Sequence, residues 1–418
     1  MPEHERHWED HEMPVVDEPI RLDEAIIQDP HALYRKLRED GPVRPAIMPH
    51  GMRVWLVSGY AEAKALLADP RLSKDANRAQ ELFRDRITAA GGEPGPDPSG
   101  ALLRFHMLNT DPPDHTRLRK LVNKAFTART VARLRPRIEQ ITDDLLDAMA
   151  ARGRVDLLDA FAYPLPITVI CELLGIPESE RGDFREWSNT LLNSGPQENF
   201  HDAARAMAAY LTALVEAKRA EPTQDLLSDL VHVSDEGDQL SHEELVAMAF
   251  LLLVAGHETT VNLIGNSVLA LLRHPDQLAK LRADPSLLPG AVEEFLRFEG
   301  PINIATLRFT AEPVPIGDVE IPANEFVMIS LVGANRDGDR FDEPDRLDVT
   351  RPAGGHLAFG HGIHYCVGAP LARLEAEVAL GRLFERFPGI ELDGDPGGLR
   401  WRESTLVHGL DALPVALR

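Results

Sequence analysis

The chain has 418 residues, a formal net charge of −23 and a hydrophobic fraction of 44%. That is enough length and apolar content for a large buried core, while the acidic balance argues against nucleic acid, which needs a basic face. Two cysteines exclude a disulfide framework. The opening residues, Met1 to Asp10, carry neither the basic nor the apolar stretch of a secretory signal, so the sequence predicts a cytoplasmic protein without a membrane anchor.

Residues 1–20 are expected to be a flexible N-terminus. A first helix is predicted near Asp29-Pro30-His31-Ala32-Leu33-Tyr34, and a small sheet around Val54-Trp55-Leu56-Val57. The Gly/Pro-rich run Gly91 to Gly100 is too short to separate domains and reads as a mobile loop between the second and third helices. Helices dominate from Asp111 to Leu281. Within them, the segment from His115 to Arg137 holds eight Lys or Arg residues (117, 119, 120, 124, 129, 133, 135 and 137) and no acid. Such an island reads either as solvated faces of two amphipathic helices or as a docking surface for an acidic partner; docking is the favoured reading. Cys171, in the apolar run Leu165 to Leu174, is expected to be a small buried filler. The break Asn193-Ser194-Gly195-Pro196-Gln197 separates two helices.

A long, mostly buried helix is predicted through Leu245 to Ile264, its uninterrupted apolar run too short to span a membrane. In its middle, Ala255-Gly256-His257-Glu258-Thr259-Thr260 places a glycine, an acid and two hydroxyls where helix propensity disfavours them, which marks a bend or a site. Glu294-Phe295-Leu296-Arg297 sets an acid and a guanidinium three apart on one helical face. Short strands follow near Val314 to Ile329, then an irregular stretch containing Phe341 to Leu347. A last helix is predicted from about Leu371 to Phe387. No internal repeat or long linker divides the chain, so residues 1–418 read as a single, mainly α domain with small β-sheets (α+β).

Just before that last helix lies Phe359-Gly360-His361-Gly362-Ile363-His364-Tyr365-Cys366-Val367-Gly368. Glycines at 360, 362 and 368 permit close backbone approach and dihedrals that a Cβ forbids. A thiol held before a helix N-terminus meets unpaired N–H groups and a positive dipole end, which favour the thiolate a soft metal requires. A buried structural cysteine is the plain alternative. A zinc site from His361, His364 and Cys366 is another, although the spacing lacks a second ligand pair.

These residues resemble the cytochrome P450 family over nearly the whole chain. The likeness rests on the cysteine loop, on Ala255 to Asn262 (AGHETTVN), on Asp111 to Leu121 (DPPDHTRLRKL) and on His356 to Tyr365 (HLAFGHGIHY). It implies a single-domain fold with haem b (iron protoporphyrin IX) buried between the long helix and the cysteine-loop helix, and Cys366 as axial ligand of the iron. The cofactor would lie against Ala255, Gly256, Phe359, Gly360 and Gly368, with its propionates on His115, Arg119, Arg308 and His364. Glu258 would relay protons and Thr259 would hold a hydrogen bond beside dioxygen. Glu294 and Arg297 would lock the cysteine loop, helped by Arg346. Electrons from NAD(P)H would arrive through a ferredoxin and its reductase, docked on the basic 115–137 face. Met107, Leu191, Leu251, Ile302, Asn303, Ile304 and Leu406 are candidates for the substrate pocket, with core packing as the alternative for the aliphatics.

The activity implied is hydroxylation of an unactivated C–H bond in a bulky, apolar small molecule, and the phrases most resemble bacterial members that oxidise macrolides and related polyketides. Epoxidation or carbon–carbon coupling of another secondary metabolite or a steroid-like molecule stays open, as does a peroxide-using variant. So does a non-catalytic haem-binding protein.

Overall fold

The computed structural model describes residues 19–22, 25–48, 51–89, 103–192, 197–233 and 237–418. The expectations for residues 1–18, for Gly91 to Gly100 and for positions 193–196 lie outside them. The described N-terminus differs from the expectation at one point. Ile20–Arg21 forms an edge strand, parallel to Val43–Ile47 with Ile20 opposite Ala46.

Helix boundaries follow local chemistry. The first long helix, Pro30–Asp40, starts with Asp29 accepting from the Ala32 N–H at 3.3 Å and with proline at its first position, where no N–H is needed. The central helix, His242–Arg273, opens on a capping box. Ser241 Oγ accepts from the Glu244 N–H at 3.1 Å, and Glu244 Oε2 accepts from the Ser241 N–H at 2.8 Å. Leu245, Val246, Ala247, Met248 and Ala249 have no exposed surface. The helix is long and apolar enough to cross a membrane, but 72% of its most apolar window is buried inside the protein. Its neighbours are the helices Pro164–Leu173, Gln197–Ala220 and Ala369–Arg386, so protein occupies the place lipid would take. Cys171 sits in that wall, fully buried, and burial pushes its thiol up to about 12.

Against this helical body lies a six-stranded sheet in the order Ile20–Arg21, Val43–Ile47, Arg53–Val57, Phe326–Ile329, Arg308–Thr310, Leu72–Ser73. Its last two strands run antiparallel, Leu72 opposite Thr310, which brings segments far apart in sequence side by side. A three-stranded sheet (Glu391–Leu392, Pro414–Ala416, Arg154–Asp156) and a hairpin (Val314–Ile316, Val319–Ile321) complete the sheets among the described residues. The fold is thus mainly α with small sheets, as the sequence predicts.

The helix Leu288–Phe298 anchors everything that follows it. Glu294 and Arg297 are both fully buried, with Arg297 Nε 2.7 Å from Glu294 Oε2 and Nη2 2.9 Å from Oε1. The guanidinium also donates to the carbonyls of Asn335 (3.1 Å), Pro344 (2.8 Å) and Arg346 (3.3 Å). Here the structure corrects the sequence reading. The second guanidinium at Glu294 is Arg351, with Nε 3.2 Å from Oε1, not Arg346. Arg346 contributes its carbonyl alone, and its side chain pairs with Glu343 on the surface. The register of the irregular stretch points Arg346 outward and Arg351 inward, and no periodicity announces that.

Two segments far apart in sequence meet at the exit of this helix. His31 Nε2 and His408 Nε2 lie 2.7 and 2.6 Å from Glu299 Oε1, and Arg336 lies 3.1 Å from Oε2. Burial would raise the Glu299 carboxyl, yet these partners hold it well below the usual range. Trp401 stacks on His408 with centroids 4.0 Å apart, and Ile302 bridges Val407.

Removing one partner of a buried pair leaves the other uncompensated. Arg297→Leu is therefore expected to destabilise the protein by about 3–5 kcal/mol, read from the shift of the urea midpoint. Arg346→Ala is expected to leave that midpoint at the wild-type value; equal losses in the two variants would overturn the assignment of the lock.

Candidate active site

The cysteine loop is held at both ends by the residue next to Glu294. Glu293 accepts from Arg373 Nε at 2.6 Å and Nη2 at 2.8 Å, and lies 3.1 Å from His356 Nε2. His356 precedes the loop and Arg373 follows it. Burial would raise the Glu293 carboxyl, but hydrogen bonds from Arg373 and His356 outweigh it and hold the group at about 2. Asn335 Oδ1 accepts from the Leu357 N–H at 2.6 Å, tying the loop entry to the carbonyl-bonded core around Arg297.

Inside the loop, Gly360 and Gly362 have φ of +73° and +74°, in the left-handed region that glycine enters without a Cβ penalty. A Cβ on Gly362 would also lie 2.9 Å from Ala68 Cα, so the loop rides on the end of the helix Tyr60–Ala68. Gly368 has no such need; it caps the helix Ala369–Arg386 at φ −79°. The Cys366 N–H donates to the Phe359 carbonyl at 2.9 Å, closing the loop.

Cys366 is exposed, whereas Cys171 is not. Crowding by protein raises its pKa, against the Gly368 N–H, Arg119, the Ala369 N–H and Arg373, which lower it. The N–H groups at the helix N-terminus thus act toward the thiolate as expected, and burial opposes them. A bound cation would complete the charge balance.

A cluster of basic side chains faces this loop. His115 is 3% exposed, and neither ring nitrogen has a hydrogen-bond partner. His364 lies against it with centroids 4.4 Å apart. Arg308, 5% exposed, donates to the Thr306 carbonyl at 2.8 Å, and the Lys74 ammonium donates to Thr306 Oγ1 at 2.5 Å. Arg119 donates to the Tyr365 carbonyl at 2.7 Å. Burial lowers Arg308 to about 10 against the pull of Asp111, while burial and then the neighbouring cations lower His364 to about 2 and Lys74 well below the usual lysine range. Asp111 is the acid that acts on the group, and it already accepts from the Lys74 N–H at 3.0 Å and from the Ser73 hydroxyl. Buried orphan donors and excess positive charge fit a ligand carrying two carboxylates beside a thiolate-binding metal, which is the donor set that haem requires.

On the central helix, the sequence-predicted acid and alcohol face different ways. The Thr259 hydroxyl donates to the Ala255 carbonyl at 2.9 Å, on the half-exposed side that also carries exposed Ala255. Glu258 is 1% exposed and turned inward. Its Oε1 accepts from Tyr163 at 3.1 Å and its Oε2 from Arg402 at 2.8 Å. His257 is buried beside it, with Nε2 3.1 Å from Ser188 Oγ. Gly256 owes its identity to packing, since a Cβ there would meet Ile170 at 3.0 Å.

Several pocket candidates prove to be core. Asn303 accepts from the Tyr34 hydroxyl at 2.9 Å and donates to the Ile26 carbonyl at 3.0 Å, so both ends of its amide are bound within the protein. Ile304, 2% exposed, packs with the N-terminal sheet, and Met107 is 6% exposed within the main core. Leu251 lies on the Ala255 side of the long helix; Leu191, Ile302 and Leu406 are half-buried. Lys74, Thr306, Tyr163, Glu293, Arg351 and Arg402 escape a reading of the sequence. Glu293 lies on the helix Leu288–Phe298 and the others in loops or at element ends, and each has a partner tens to hundreds of positions away.

A family description, Cytochrome P450, matches residues 182–396. The chain is 56% identical over 400 residues to cytochrome P450 107B1 of Saccharopolyspora erythraea, covering 96% of this chain and 98% of that one. It is 48% identical over 392 residues to 6-deoxyerythronolide B hydroxylase of the same organism, covering 93% and 96%. Among solved structures, the tirandamycin C-bound P450 monooxygenase TamI superposes with a TM-score of 0.88 at 53% identity, over 96% of this chain and all of that chain.

A Glu258 carboxyl held at about 2 sets a pH signature. Burial raises it, while His257 and Arg402 outweigh that and lower it. The depressed pKa stabilises the fold above the ordinary glutamate value of 4.5, and the gain is lost as pH falls toward 2. Glu258→Gln is expected to be less stable than wild type at neutral pH, with the gap closing across that window in chemical unfolding. A gap independent of pH would contradict the ion pair.

Proposed function

The chain belongs to the cytochrome P450 family, and we propose from its site that it is a haem-thiolate monooxygenase acting on a bulky, mainly apolar polyketide, a macrolide in first place. The observation that carries this reading is the pairing of an exposed, loop-presented Cys366 with a buried cation cluster short of anions. Cys366 would bind the iron, and His115, Arg119, Arg308 and His364 would hold the propionates. When bound, haem supplies dioxygen activation and insertion of one oxygen atom into a C–H bond, while two protons and two electrons carry the second atom away as water.

The remaining residues divide the work. Leu251 and Ala255 present an apolar face to the substrate, with Ile302, Leu191 and Leu406 as further half-buried lining. The Thr259 hydroxyl is placed to give or accept a hydrogen bond on that face. The Glu258 carboxylate stays ionised beside Arg402, so delivering a proton requires it to leave that partner. This makes Arg402 a brake on the proton supply.

Electrons would come singly from NAD(P)H through a ferredoxin and its reductase. The basic face is narrower than its composition suggests. Arg117 pairs with Glu244, Arg135 with Glu377 and Arg137 with Glu172. Docking would rest on side chains well exposed on this face, among them Lys120, Lys124, Arg129 and Arg133. The enzyme would work in the cytoplasm.

The kinship with a hydroxylase of 6-deoxyerythronolide B supports the substrate class. Optical titration of the purified ferric protein with macrolides, linear polyketides and steroid-like compounds tests it. A shift of the haem band toward high spin by a macrolide supports the reading, and a shift by steroid-like compounds alone overturns the substrate class. A Cys366→Ala protein with an unchanged spectrum overturns the axial assignment. Thr259→Ala is expected to divert turnover several-fold toward peroxide, measured as hydrogen peroxide formed per product. Fully coupled turnover would contradict its role.

A further inference from the structure

Lys74 follows the edge strand Leu72–Ser73 and in sequence reads as a surface lysine between Ser73 and Asp75. In the fold it is 4% exposed. Asp111 fixes it there, accepting from the Lys74 N–H through Oδ1 and from the Ser73 hydroxyl through Oδ2. The side chain crosses to the strand entered by Arg308, and the two cations flank one residue, the ammonium on Thr306 Oγ1 and the guanidinium on the Thr306 carbonyl. A hydroxyl satisfies one of three ammonium donors and none of its charge. Burying an ammonium beside a second cation is expensive unless an anion completes the site. Burial and Arg308 both drive Lys74 toward its neutral form, with Asp111 opposing them. Methionine would fill similar volume without that cost.

We propose that Lys74 is a further haem-binding residue, its ammonium taking a propionate together with Arg308, with which it flanks Thr306. The inference rests on the reading that this chain carries haem, and it adds a cation that the sequence does not mark. One buried positive charge beside the carboxylates offsets their negative field at the iron, so Lys74 tunes the reduction potential as well as retention of the cofactor.

The test uses the haem-loaded enzyme and the variants Lys74→Met and Lys74→Arg. Two properties are read, the ferric–ferrous midpoint potential and the rate of haem transfer to excess apomyoglobin. In Lys74→Met the potential is expected to move negative and haem loss to accelerate several-fold, with Lys74→Arg restoring both toward wild type. Wild-type potential and retention in Lys74→Met overturn the proposal. So does an arginine variant as impaired as the methionine one, which would reveal a packing role. Reconstitution with haem dimethyl ester adds an independent arm. Esterification should cost wild type more retention than it costs Lys74→Met, and equal costs overturn the contact. If Lys74→Met fails to fold, Lys74→Gln, which keeps a donor for Thr306 without the charge, carries the same comparisons. A wild-type protein without a thiolate-type haem spectrum would sink the underlying reading instead, which keeps the two failures apart.

Discussion

Two adjacent carboxylates, Glu293 and Glu294, hold the architecture of the site. They leave the same helix about 100° apart, so one turns into the core and the other toward the cysteine loop. Glu294 and its guanidinium partners gather the irregular stretch 335–351 by its carbonyls. Glu293 grips His356 and Arg373 on either side of the loop. Loops usually carry the least order in a protein; here a rigid helix places ion pairs at both of its ends, and a cysteine on a loop gains the positional precision of secondary structure.

The electrostatics of the site divide along the same lines. On the distal side, the charge balance is complete within the protein, since Glu258 has Arg402 and is held strongly ionised. Around Lys74, His115, Arg308 and His364 it is incomplete, and burial and neighbouring cations lower Lys74 and both histidines. The first arrangement stores a proton pathway behind an ion pair. The second stores affinity for an anionic ligand, because binding relieves the repulsion the empty-handed cations exert on each other.

Much of this was legible in the sequence where local chemistry decides. The cysteine loop carries its glycines at the positions that need left-handed dihedrals, the E-x-x-R spacing sets one helical face, and the apolar stretch before Gly256 fixes the central helix. What stayed hidden depends on tertiary register. Arg346 and Arg351 are both arginines in the same irregular stretch, and the fold alone decides which side chain points inward. Asn303 looked like an anchor for ligand because a buried amide wants partners, yet Tyr34 and Ile26, some 270 positions away, supply them. Three of the eight cations of the basic island are absorbed by distant acids, Glu172, Glu244 and Glu377, that no window of sequence contains together with it.

The meeting of two distant segments on Glu299 bears on how the protein is made. His31 is synthesised long before His408, and Arg402, the partner of Glu258, lies in the same later segment as His408. On the ribosome, the helices and the cysteine loop can form before this segment has emerged. The acid of the distal site then waits with Tyr163 but without its guanidinium partner. Vectorial synthesis thus leaves the proton side of the site to be finished after the helix that carries it.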